Sequence, residues 1–206
     1  MTAEERRSHW ERVYATRVET EVSWFQADPV PSLEALALAG ANGESSVIDI
    51  GGGASRLVDR LIHDGWVDVT ILDVSAAAVA AAKARLGEAA GQARWIVADA
   101  TAWTPERLHD VWHDRAAIHF LSDPADRAAY VERLRRALRP GGPAVIATFA
   151  PDGPERCSDL PVVRYDGPGL AAALGRSFAL LKTRRHDHVT PSGAAQRFQF
   201  SLFRRL

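Results

Sequence analysis

Apolar and polar positions follow two different rhythms along this chain. Residues 3–18 carry the helical one. Trp10, Val13, Tyr14 and Arg17 recur at i, i+3, i+4 and i+7, which makes one stripe of an amphipathic helix partly aromatic. A loop, VSWFQADPVP, follows, and Pro31 sits near the start of a second helix, SLEALALAG, which Gly40 and Gly43 end. From residue 45 onward short apolar runs alternate with helical stretches. SSVIDI (45–50), DVTILD (68–73), ARWIVAD (93–99), HDVWHD (109–114) and PAVIATFA (143–150) predict strands. Residues 54–65, 75–87 and 123–142 predict the helices between them. Ser75 is the N-cap and Gly87 the stop of the 75–87 helix. Asp123 caps the 123–142 helix, with Pro124 in its first turn and Pro-Gly-Gly at its end.

Strands that are apolar almost throughout are buried on both faces. Their alternation with helices predicts an α/β domain, a parallel sheet with helices on both sides. The tail departs from this rhythm. A short helix covers 166–175, and FALLKTRRHDHV and AQRFQFSLFRRL then flank the turn TPSG, a hairpin that adds an antiparallel pair to one sheet edge. No repeat, low-complexity tract or linker interrupts the chain, so 1–206 is expected to be one domain: 1–43 an N-terminal helical lid, 44–206 the core.

Composition narrows the partners. The 206 residues are 47% hydrophobic and 25% charged, ordinary for a globular protein. A net charge of −1 gives no global positive field for DNA or RNA, and the local arginines read as solvated helix faces. A single cysteine, Cys157, rules out an intrachain disulfide and fits a reducing compartment. The start, MTAEERRSHWERVY, lacks an apolar signal core, and no run of about 18 apolar residues offers a membrane span. The expectation is a cytoplasmic protein with no nucleic-acid or membrane partner, as a monomer or homodimer.

The chemistry gathers at strand ends. In VIDIGGGASRLV, Gly51, Gly52 and Gly53 let the backbone turn tightly and approach a ligand, and the helix start offers free N–H groups. Asp73 ends the second strand, where an acid suits the two hydroxyls of a ribose, and Asp99 ends the third. All three features lie on one carboxyl edge of the sheet, where α/β folds bind ligands, so a nucleoside-type ligand is expected. A dinucleotide G-x-G-x-x-G starting at Gly51 would need glycine where Arg56 stands, which argues against a nicotinamide oxidoreductase.

Asp49, two residues before Gly51, points elsewhere: D-I-G-G-G-A-S resembles the D-x-G-x-G-x-G motif of class I S-adenosylmethionine-dependent methyltransferases, with Ser55 in place of the last glycine. The resemblance runs from HWERVY and VSWFQ through LDVS, VADAT, WHDRAAIHFL and LRPGG to the closing hairpin. The chain is similar to a group of small bacterial methyltransferases and, more distantly, to the mitochondrial citrate synthase lysine methyltransferase. The resemblance implies a Rossmann-like seven-stranded sheet of order 3-2-1-4-5-7-6 with strand seven antiparallel. It implies S-adenosylmethionine as cofactor and S-adenosylhomocysteine as product. Gly51 and Gly53 would then lie against the methionine part and Asp49 would help hold its ammonium. Asp73 would bind the ribose, with Val74 beside the adenine. Asp99 would accept from the adenine amino group, and Ala100 would supply a backbone contact.

Three segments can reach the methyl group. Tyr14, Trp24 and Phe25 form a candidate aromatic lid, since a sulfonium over an aromatic face gains cation–π attraction, whereas Trp10 is expected in the core. In WHDRAAIHFL, a metal site is disfavoured because i and i+4 on a strand lie about 13 Å apart and neighbours face opposite sides. Asp114 is instead expected to face the methyl and amino-acid end of the cofactor. Arg115 is expected to bind an anionic substrate or pair with Asp114, and His119 to serve as a base or sit hydrogen-bonded beneath the lid. The third segment, APDGPERCSDLPVVRYDG, reads as an ordered active-site loop in which Arg164 and Tyr165 meet substrate and Cys157 is a free thiol without a catalytic role. The leading expectation is direct methyl transfer to a small molecule. The alternatives are a protein-lysine methyltransferase and a protein that binds S-adenosylmethionine without chemistry.

Overall fold

The computed structural model describes all 206 residues. Five parallel strands form its centre: β1 (Val47–Ile50), β2 (Val69–Asp73), β3 (Ala93–Val97), β4 (Val111–Arg115) and β5 (Pro143–Phe149). Two long antiparallel strands, β6 (Phe178–Val189) and β7 (Ala195–Arg205), complete the sheet. The order is β3-β2-β1-β4-β5-β7-β6, with β7 running antiparallel to β5 along its whole length, as the resemblance implied. Every residue of β1 and β2 is buried, which explains why these strands read as unbroken apolar runs rather than alternations.

The helices are α1 (Ala3–Thr16), α2 (Val30–Leu38), α3 (Leu57–His63), α4 (Ala76–Leu86), α5 (Pro124–Ala137) and α6 (Gly167–Leu174). On one face Leu36 of α2 and Leu57, Val58 and Leu61 of α3 pack against Val47, Ile71, Val111 and Val145. On the other, Tyr130 and Leu134 of α5 and Leu170 of α6 pack against Ile48, Trp112, Ile146 and Phe203. Each fully buried aliphatic or aromatic side chain contributes roughly 1.5–3 kcal/mol.

The caps behave as expected at Ser75, whose hydroxyl accepts from the Ala78 amide, and at Asp123, whose carboxylate accepts from Ala125. Several ends move inward. Helix α3 begins at Leu57 rather than 54 because residues 51–56 are taken up by the turn after β1, where the Ser55 hydroxyl accepts from the Leu57 amide. Helix α5 stops at Ala137 because Leu138 turns extended and bridges to His109. Inside the loop after β5, Arg156–Cys157 and Leu160–Pro161 form a small ladder turned by Ser158 and Asp159, both at positive φ; the sequence reading had only a loop there.

Strand β4 sends alternate side chains to opposite faces. Trp112 and Asp114 point to the α5 side, His113 and Arg115 to the α2 side. Asp114 is therefore not where the sequence reading expected it. Its carboxylate accepts from the Ala117 amide at 2.7 Å, the Ile118 amide at 3.0 Å and the Tyr130 hydroxyl, which in turn accepts from Trp112 Nε1 at 2.9 Å. Burial pushes Asp114 up to about 6 against those donors. This residue fastens the turn after β4 to α5. Tyr130→Phe should cost about 1–3 kcal/mol, because it strands a buried indole N–H and takes one of three donors from a buried carboxylate; an unchanged urea midpoint would refute that role.

Candidate functional site

A cleft of about 880 Å³, partly open to solvent, lies at the carboxyl ends of β1 to β4 and is roofed by α1 and the segment around Trp24. Most of its wall is apolar, with a few acids and arginines set into it, the usual composition of a small-molecule site.

The turn after β1 supplies the floor. Gly51 adopts φ +70, a left-handed conformation that favours glycine. Neither following glycine has room for a side chain. A Cβ on Gly52 would lie 2.2 Å from Asp49 Oδ2, and one on Gly53 would lie 2.7 Å from both Asp73 Oδ2 and the Ala78 methyl. That close approach lets the Gly53 amide donate to Asp73 Oδ2 at 2.9 Å, while Ser75 N–H donates to Oδ1 at 2.8 Å. Each oxygen keeps a lone pair for a further donor. Burial pushes Asp73 up to about 6, against these two amides.

Asp99 stands at the next strand end. Its Oδ1 accepts from the Thr101 amide and hydroxyl at 2.8 and 2.7 Å, and its Oδ2 accepts from Arg6 Nε at 2.9 Å. Burial opposes this anion, but Thr101 and the Arg6 guanidinium outweigh it and hold the carboxyl below its usual range. One lone pair on Oδ2 remains. Val74, Ala98 and Ala100 complete this end of the cleft.

Asp49 lies in an adjoining recess with Gly52, Ser55 and Phe25. Its Oδ1 is 2.6 Å from His113 Nδ1, and His113 Nε2 is 2.9 Å from the hydroxyl of Ser32. A carboxylate only accepts, so Nδ1 carries the proton of that pair. Asp49 Oδ2 is buried without any partner. An unpaired buried acceptor beside a side-chain-free turn fits an ammonium donor of a bound amino-acid group.

The far wall is aromatic. Trp24 donates to the Tyr14 hydroxyl at 3.2 Å, Trp10 stands edge-on to Phe120 with centroids 4.9 Å apart, and Phe149 and Phe198 face the same space. Trp10, expected in the core, is thus part of the cleft: the aromatic stripe of α1 packs onto the mouth of the site rather than onto the sheet. Arg115 lines both the cleft and the recess. The residue after it, Ala116, sits at φ 74, a strained turn that swings the chain away from β4.

Four expected site residues lie elsewhere. Asp114 is on the opposite face, as described. His119 is fully buried, accepts from the Phe149 amide at 3.3 Å, and is pushed by burial down to about 3, so it is neutral at pH 7 and cannot act as a base from the cleft. Arg164 lies outside the wall, pairing with Glu155 at 3.0 Å, and Tyr165 packs into the core beneath α6. Cys157 does reach the wall, but burial pushes its thiol up to about 11. The structure also adds Arg6, Phe149 and Phe198, which no motif marked. No group of three His, Cys, Asp or Glu side chains is placed to hold a metal ion.

Comparison with known proteins fits this geometry. Residues 47–142 match the family model of a methyltransferase domain. Over 150 residues the chain is 33% identical to trans-aconitate 2-methyltransferase of Methylobacterium radiotolerans, covering 70% of this chain and 53% of that protein. Over 115 residues it is 29% identical to malonyl-[acyl-carrier protein] O-methyltransferase of a Paenibacillus species, covering 53% and 40% respectively. The chain thus spans about half the length of the curated relatives it matches. A solved 1,6-didemethyltoxoflavin-N1-methyltransferase of Burkholderia thailandensis, with bound 1,6-didemethyltoxoflavin and S-adenosylhomocysteine, shares the fold. Its TM-score is 0.72 at 21% identity, over 100% of this chain and 91% of that one.

Gly53→Ala should destabilise the protein by about 1–3 kcal/mol through overpacking against Asp73 and Ala78. Chemical denaturation measures it, and a variant as stable as the parent would refute the tight packing of this turn.

Proposed function

Because residues 47–142 match a methyltransferase domain and the whole chain takes the class I S-adenosylmethionine-dependent methyltransferase fold, we propose that this protein transfers the methyl group of S-adenosylmethionine to a small-molecule acceptor held in the roofed cleft. The row of acids at successive strand ends carries this reading. Asp73 has lone pairs for the ribose hydroxyls, Asp99 has one for the adenine amino group, and Asp49 Oδ2 has no other donor than the one an amino-acid group would bring. The turn after β1 offers the Gly52 and Ala54 amides, which find no acceptor in the chain, to the methionine part. Tyr14 and Trp24 stand across the cleft, where they would face a sulfonium.

When bound, S-adenosylmethionine supplies an electrophilic methyl group. This chain's part is then to align the acceptor with it and to keep water out. The aromatic wall of Trp10, Phe120, Phe149 and Phe198 suits both tasks, and positioning alone can supply much of the acceleration. Neither Asp114 nor His119 stands at the wall to take a proton, so the acceptor is expected to arrive with its nucleophilic lone pair free. One relative is named for trans-aconitate and a fold neighbour for 1,6-didemethyltoxoflavin, which supports small acceptors. The roof and the apolar lining favour that reading over a protein lysine, which would need an open, acidic groove.

Asp73→Ala should weaken S-adenosylmethionine binding by about tenfold or more while the fold survives; calorimetry giving equal affinities would sink the ribose assignment. Affinity should also depend on pH with a definite sign. Ligand hydroxyls prefer the ionised carboxylate, so binding weakens as pH falls below about 6, by up to about tenfold per unit, and Asp73→Ala loses that slope. Turnover of labelled S-adenosylmethionine against a panel of acids, amines and thiols separates an enzyme from a protein that only binds the cofactor.

A further inference from the structure

Arg115 is the arginine of the cleft that pairs with no acid, and although the residue is only half-buried, two of its nitrogens are closed to solvent. Arg6 pairs with Asp99 and Asp126, Arg56 with Glu19, and Arg85 with Glu19 and Asp59. Arg115 makes a single hydrogen bond, from Nη1 to the Trp24 carbonyl at 2.9 Å. Its Nε and Nη2 are buried and have no partner at all. These two nitrogens form one edge of the guanidinium, with parallel N–H bonds at the spacing of the two oxygens of a carboxylate.

No carboxylate of the protein forms an ion pair with this cation; Asp49 favours its charge only from the adjoining recess. The guanidinium carbon lies 4.9 Å over the Phe198 ring, an attraction smaller than the cost of enclosing an unpaired charge. Burial lowers it only to about 10, so it stays charged at pH 7. The groups around it are not anions. The Cys157 thiol is pushed up by burial, the Tyr14 hydroxyl is raised likewise, and His119, His186 and His188 are all lowered by burial with Arg115 adding to the effect. Asp49 is hydrogen-bonded to His113 rather than to Arg115.

We propose that the free edge of Arg115 clamps a carboxylate of the methyl acceptor, which makes the substrate an anionic small molecule and Arg115 the residue that selects it. The proposal rests on the methyl-transfer reading above. The carboxylate of the cofactor has other donors in that reading: the Gly52 and Ala54 amides of the turn after β1 find no acceptor in the chain, in a recess that Arg115 also borders. Arg115 instead reaches over Phe198 of β7, at the aromatic wall.

The test uses the full chain saturated with S-adenosylhomocysteine, and calorimetric titration with benzoate, trans-cinnamate, fumarate and citrate, each beside its neutral amide. At least one acid should bind, its amide at least tenfold more weakly. Arg115→Met should lose about tenfold or more of that acid affinity, and Arg115→Lys, which keeps charge but not the fork, should fall between. S-adenosylhomocysteine affinity should change less than about twofold in both. Removing an uncompensated buried cation should leave the Arg115→Met melting temperature equal to or above the parent's; if that variant does not fold, Arg115→Lys carries the comparison. Acids that bind no better than their amides, or equally well to parent and variants, overturn the proposal. So does a tenfold loss of S-adenosylhomocysteine affinity in the variants, which would give Arg115 to the cofactor. A parent protein that does not bind S-adenosylhomocysteine defeats the methyl-transfer reading itself.

Discussion

The 2.9 Å hydrogen bond from the Gly53 amide to Asp73 is the contact on which the site is built. It joins the turn after β1 to the end of β2, two segments that the parallel sheet brings side by side. It is possible only because neither Gly52 nor Gly53 carries a side chain. It also keeps a carboxylate ionisable in an apolar setting, since backbone amides partly offset the loss of water. The floor of the cleft and the fixed orientation of the Asp73 carboxylate both follow from this one close approach.

A second division of labour runs along β4. Asp114 and Arg115 are neighbours in sequence and opposites in use. The first is fully satisfied and holds α5 to the sheet; the second is left with two buried donors unmet and faces the cleft. The strained φ of Ala116 lies immediately beyond. Unmet donors and backbone strain next to a cavity reduce stability and are tolerated where a ligand completes them.

Much of this was legible in the chain itself. The glycine turn, the acids ending the second and third strands, and the closing hairpin each have a local signature, and the sheet order followed from resemblance. What was not legible depends on which way an element faces. A strand buried on both sides carries no polar alternation, so nothing local says that Asp114 turns toward α5 while Arg115 turns toward the cleft. Arg6 reads as one more charge on an amphipathic helix until α1 is docked. Phe149 and Phe198 lie far apart in sequence and meet only through the antiparallel register of β5 with β7. His119 and Tyr165 looked available because histidines and tyrosines often serve sites; packing, not pattern, buries them.

The roof is attached to Asp99, one of the acids that line the cleft. Arg6 of α1 donates to Asp99 in a pair that is almost closed to solvent, and Glu11 of the same helix accepts from the Ala76 and Ala77 amides that open α4. Salt screens such a buried pair weakly. Position of the helix and occupancy of the cleft are then linked variables. Whatever factor the seated helix adds to ligand affinity, the bound ligand must return as the same factor in favour of the seated helix. On the reading proposed above, the carboxylate that would meet the ligand is also one that seats the helix over it, so residence time would be a property of the first dozen residues as much as of the cleft they cover.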